Sequence, residues 1–167
     1  MFGEQKESLH SLVWDGCDVY NRVANGAEWL DAIKPNWYLE VNTAELDISS
    51  GESCICGQVF MDEFMKHISD HRAENPDYPE DYDFENGWDY AVANLFGVED
   101  ASGPYEFASR LGFNMIDLKQ RKFNINDVAE NMGYEKPSAA VQKIEYELLA
   151  MEWVSQIEKR ILQHKVV

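Results

Sequence analysis

Apolar residues recur along this chain mostly at steps of three and four, the spacing that lines one face of an α-helix. Leu9, Leu12, Val13, Cys17, Tyr20 and Val23 follow it, predicting an amphipathic helix over residues 5–24 that Asn25-Gly26 ends. A short helix over 26–33 is expected next, closed by Pro35, with Trp37 and Tyr38 as core anchors in the irregular stretch 36–53. Ile55, Val59 and Phe60 around Gly57 predict a short strand or hairpin near 52–60. Phe60, Phe64 and Ile68 then return to helical spacing over 60–72. Residues 75–86, rich in Pro, Asp and Tyr, read as an exposed loop, with helices expected near 87–95 and 105–111. Toward the end, a short helix at about 126–131 precedes a long one from Ser138 to about Leu162. Val141, Ile144, Leu148, Met151, Val154, Ile157 and Ile161 fall on one stripe of that helix. A single helix of this length needs tertiary support, so the stripe is expected to face the core in preference to another chain. The expected fold class is α+β, mostly helical, with one small β element near 52–60 and a long C-terminal helix.

Charge changes this picture. The 167 residues carry 31 Asp and Glu against 14 Lys and Arg, a net charge of −17. Residues 1–116 hold 23 acids and 6 bases, whereas 117–167 hold 8 of each. The expected organisation is therefore an acidic globular domain, 1–116, and a helical C-terminal region, 117–167. A field of this sign repels phosphate and attracts basic surfaces, so direct nucleic-acid binding by most of the chain is disfavoured. The acids expected to meet a basic partner are Asp62, Glu63 and Asp70 on the helix, then Glu74, Asp77, Glu80, Asp81, Asp83, Glu85 and Asp89. Tyr78, Tyr82, Phe84 and Trp88 are interleaved with them and offer contact area. The alternative is a solvated acidic face that only keeps the protein in solution. No apolar run is long enough for a transmembrane helix, and Met1–Lys6 shows no export signal. The three cysteines are accordingly expected to be reduced.

Two thiols and two imidazoles lie close together in sequence: Cys54-Ile55-Cys56, then His67 and His71. On a helix the histidines, four residues apart, share a face. If Glu52–Cys56 is extended, both thiols point to one side, and a turn at Gly57 would join the pairs. Residues 54–71 thus resemble a Cys-Cys-His-His zinc finger, which implies a closed, structural zinc site on Cys54, Cys56, His67 and His71. The unit is shorter than a finger, with one residue between the cysteines and ten before the first histidine. Its helix is acidic, which fits a staple and not a DNA reader. The competing reading is a buried cysteine pair beside two surface histidines.

In the neutral last third, residues 124–144 are helix-turn-helix-like. Ala129 permits close packing, Gly133 the turn, and Ser138 a cap for the next helix. Lys119, Arg121, Lys122, Lys136 and Lys143 supply local positive charge, yet Ala139, Ala140 and Gln142 offer little for reading bases. No phosphate-cradling loop, nucleophile elbow or distinct carboxylate pair is present, so an enzyme is not expected.

Gly26-Ala27-Glu28-Trp29-Leu30-Asp31, Leu46-Asp47-Ile48-Ser49-Ser50-Gly51 and Cys54-Ile55-Cys56-Gly57-Gln58 resemble a family of small uncharacterised bacteriophage proteins. Leu111-Gly112-Phe113 and the helix around Trp153 are similar as well. The resemblance implies a phage or mobile-element protein at work in the cytoplasm of a bacterial host. By analogy with other small acidic phage proteins, it implies an inhibitor of a nucleic-acid enzyme, anti-CRISPR or similar, that blocks loading at a basic groove. A helix-turn-helix regulator and a structural phage protein with a zinc staple are the alternatives.

Overall fold

The structure, a computed structural model, describes residues 8–77, 97, 103–116 and 118–167. In chain order its helices are α1 (Leu9–Gly16), α2 (Val19–Ile33), α3 (Ile55–Val59), α4 (Met61–Glu74), α5 (Gly103–Arg110), α6 (Ile125–Asn131) and α7 (Pro137–Val166). Single 3-10 turns stand at Trp37–Leu39, Thr43–Glu45 and Leu118–Gln120. The mostly helical expectation holds, including the long C-terminal helix, and the described residues contain no strand.

The β element near 52–60 is therefore corrected to a helix. Cys54 is extended at the N-cap, and its sulfur accepts the Gly57 N–H at 3.3 Å. That contact turns the chain into α3. Ile55 and Val59, four apart, are both buried on its inner face. Gly57 fits because a Cβ there would sit 2.1 Å from the Gly51 carbonyl oxygen. Gln58 holds the preceding loop, donating to the Ser53 carbonyl at 2.9 Å and accepting the Asn42 N–H at 2.6 Å.

The first expected helix is likewise two. The chain breaks at Asp18, which adopts φ 49° and ψ 44°, and the helix then runs on through Asn25-Gly26 to Ile33. Asn21 donates to the Asp18 carboxylate at 2.9 Å, the kind of local bond that lets Asp occupy the left-handed region. Carbonyls released by the break find distant donors: Gly16 accepts the Lys122 N–H at 2.9 Å, and Cys17 accepts Arg22 Nη1 at 2.8 Å. Gly26 does not end the helix. A Cβ there would lie 2.0 Å from the Leu111 carbonyl oxygen, so it is the point where α2 meets residues 111–113.

α7 packs against α1, α2, α6 and the Trp37–Leu39 turn. Val141, Ile144, Leu148, Leu149, Trp153 and Ile157 are buried along it, so its stripe faces the core, whereas Met151 is 67% exposed. The core runs from Leu9 and Val13 through Leu30, Trp37, Ile55 and Phe64 to Ile157, drawing on both sides of residue 117. Aromatic rings join its parts. Trp153 lies edge-on to Trp37 at 5.6 Å and stacks on Phe113 at 5.3 Å. Trp29 contacts Phe60 at 6.2 Å and Phe113 at 5.9 Å, which ties α4 to the rest. Each such buried side chain contributes roughly 1.5–3 kcal/mol.

Candidate functional site

The acidic face is built on α4. Phe64 and Ile68 turn inward, and Asp62, Glu63, Asp70 and Glu74 are all exposed, as is Asp77 beyond its end. Asp62 and Glu63 in the first turn and Arg72 in the last suit the helix dipole, so part of this pattern supports the helix itself. Lys66 lies 2.6 Å from Asp70, and Lys34 3.4 Å from Glu63. Asp62, Glu74 and Asp77 have no cationic partner among the described residues. Glu80, Asp81, Asp83, Glu85 and Asp89 lie outside the described residues, as do the aromatic residues between them and the helix expected near 87–95.

The cysteine–histidine set is not gathered. Because α3 is helical, Cys54 and Cys56 diverge around its axis instead of sharing one side. Cys54 caps the helix, and its thiol donates to the Gly51 carbonyl at 3.6 Å. Cys56 is buried, and burial pushes both thiols above their ordinary value, the opposite of what a thiolate ligand needs. His67 and His71 are half-buried on α4, and His71 Nδ1 lies 3.4 Å from the Asn75 side-chain amide. Among the described residues no group of three or more His, Cys, Asp or Glu side chains is placed to hold a metal ion. The zinc tetrad does not fit this arrangement.

The helix-turn-helix-like unit is present as backbone. Gly133, at φ 95°, closes α6, and the Tyr134 N–H reaches back to the Ala129 carbonyl at 3.2 Å. Pro137, not a Ser138 cap, begins α7. The nearby bases are largely engaged elsewhere. Lys122 lies 3.6 Å from Asp18, Lys143 lies 4.0 Å from Glu147, and the Arg121 side chain is only 6% exposed.

Arg121 belongs to a buried cluster that apolar spacing did not reveal. Arg22 on α2 donates to Glu145 Oε1 at 3.0 Å and to the Ser109 carbonyl at 2.7 Å, and it also donates to the Asn114 carbonyl. Glu145 on α7 is fully buried and also accepts the Ile116 N–H at 2.8 Å. Arg121 approaches Glu145 Oε2 at 3.5 Å and donates to Asn126 at 3.2 Å, while its Nε is buried with no hydrogen-bond partner among the described residues. Burial pulls the Arg22 guanidinium down, and Glu145 opposes that shift. The Cys17 thiol is pushed up to about 12, by burial first and by Glu145 second. The cluster fixes residues 109–116 on the core, a structural task. Its sequence signal is a charge on an apolar stripe in each of two helices, with opposite signs.

No family model, curated protein or solved structure matches this chain. Among the described residues no helix is long and apolar enough to cross a membrane.

Proposed function

We propose that this chain is a binding protein with no catalytic role: an acidic phage-type inhibitor, anti-CRISPR or similar, that docks on a basic groove of a bacterial nucleic-acid enzyme and blocks loading. One observation carries the reading. Arg22, Lys34, Lys66, Arg110, Arg121, Lys122, Lys143 and Arg160 each lie within 4.0 Å of a carboxylate, which leaves the excess acid outward-facing. Asp62 stands at the start of α4 and Glu74 and Asp77 at and beyond its end, and the field they contribute to draws a cationic surface. The test is capture from bacterial extract with a tagged copy at low salt, read by mass spectrometry. Basic nucleic-acid enzymes are expected in the bound fraction, and raised salt should release them. Their absence overturns the reading.

The second reading, a DNA-binding regulator, draws on the formed α6–turn–α7 backbone. A gel shift separates the two, because the inhibitor shifts no DNA. A zinc staple remains testable by metal analysis: one equivalent in the purified protein would require α3 to rearrange.

A further inference from the structure

An apolar groove lies along α7 beside the residues that it buries in the core. Thr43 and Leu46 line one wall, and Ala150, Met151 and Val154 line the other, around a cavity of about 380 Å³. Met151 is 67% exposed in mid-helix, where a side chain serving only the core is expected to be covered. On the same face of α7, exposed Leu162 follows Glu158, and Glu147 stands one turn before Met151. Glu45 stands between the two residues of the other wall and is exposed. The groove is thus an apolar floor with Glu45, Glu147 and Glu158 beside it in the chain, and Lys143 and His10 each lie 4.0 Å from Glu147.

We infer that this groove takes a cationic amphipathic helix of a partner protein, with Leu-, Met- or Phe-type anchors in the cavity and Lys or Arg over Glu45 and Glu158. Charge complementarity selects this occupant. A second copy of the chain brings the same acids to the same margins, and a plain apolar ligand leaves them unpaired. Flexible Met151 suits an anchor pocket that adapts to its occupant. The inference deepens the binding-protein reading, on which it rests, by naming where and what kind of segment docks.

The probe is a fluorescein-labelled 18-residue Leu/Lys peptide with all Leu on one helical face, against a scrambled peptide of the same composition, read by anisotropy. The amphipathic peptide is expected to bind and the scrambled one to bind at least about tenfold more weakly, the ratio of a single well-seated anchor. Met151→Asp should abolish the preference. Met151→Ala should weaken it, and circular dichroism confirms that both variants are folded. Equal binding of the two peptides, binding of neither, or a preference that Met151→Asp leaves intact each overturns the groove. So does a Met151-dependent dimer in sedimentation. Capture of a basic nucleic-acid enzyme decides the wider reading independently. A complex unaffected by Met151→Asp sinks the groove alone.

Discussion

Two regions of this molecule bring a base and an acid together, and the pairs differ in nearly every physical respect. Arg22 and Glu145 meet at 3.0 Å with side chains 6% and 0% exposed, inside a ring of backbone carbonyls and N–H groups. Lys66 and Asp70 meet at 2.6 Å with side chains 76% and 57% exposed, on a helix surface. The shorter distance belongs to the weaker contact. In water the exposed pair is screened and must hold two long side chains still, whereas each buried charge has lost its hydration and depends wholly on its partners. A net charge of −17 therefore says little about the fold. The charges that matter for folding are the few taken inside, and the charges that matter for association are those left out.

Glu145→Ala separates the buried pair from the exposed one most strongly. It leaves Arg22 and Arg121 buried without their counter-charge and frees the Ile116 N–H. The expected loss is about 3–5 kcal/mol, read as a urea midpoint. A loss under about 1 kcal/mol would mean that water reaches the cluster and that the two pairs are alike. Gly26→Ala comes next. Its Cβ would press on the Leu111 carbonyl, a backbone atom that cannot rotate away, so about 1–3 kcal/mol is expected from overpacking.

These two sites also show what the sequence makes legible. The α4 helix and the buried face of α7 are readable because their apolar residues repeat at helical steps, and the short α6 because Ala129 and Gly133 mark a helix and its turn. Gly26 was misread because Asn-Gly is a strong stop signal, and nothing local announces that Leu111 will pass against it. The break at Asp18 was invisible because the apolar period continues across it. Ile55, Val59 and Phe60 suggested a strand by side-chain type, but a sulfur cap and the Gly51 contact turn them into a helix. Glu145 was passed over because a charge within a stripe reads as solvent-facing until its partner, 123 residues away in sequence, is in place. At the candidate site, the exposed acids of α4 were legible from the same periodicity that buried Phe64 and Ile68. The proposed zinc set is not gathered among the described residues, because its expected geometry depends on a strand where the chain is helical.

An intermediate case sharpens the contrast. Asp31 accepts a bidentate Arg160 guanidinium at 2.7–3.1 Å and the Trp37 indole N–H at 2.9 Å, with its side chain 43% exposed. Burial pushes its carboxyl up, but the hydrogen bonds from Arg160 and Trp37 prevail and hold it below the ordinary 3.8. A carboxyl lowered in the folded state stabilises fully above its unfolded value and loses that contribution as pH falls through the folded one. Asp31→Asn should thus cost about 1 kcal/mol at neutral pH, between the buried and exposed cases. The gap between variant and parent should begin to narrow as pH falls past the unfolded value and close only below the lowered folded value, where the parent too is uncharged at this position. A gap that stays the same from neutral pH down to the acid-unfolding limit would assign the effect to shape and not to charge.

Lys66→Ala is expected to do least to the fold. The lysine is exposed, Asp70 remains hydrated without it, and no packed surface is uncovered, so the melting temperature should stay within experimental error. Its effect belongs to association. Removing Lys66 leaves Asp70 unpaired one turn before Glu74, making the face one charge more negative. Capture of a basic partner should then persist to slightly higher salt than with the parent chain. The reverse outcome, a lowered melting temperature with unchanged salt sensitivity, would make α4 part of the structural electrostatics and remove it from the binding face. Glu145→Ala and Lys66→Ala therefore separate the two uses of charge. The first is expected to lower stability at any salt concentration. The second is expected to leave the fold intact and alter only the strength with which the outside of the molecule attracts positive charge.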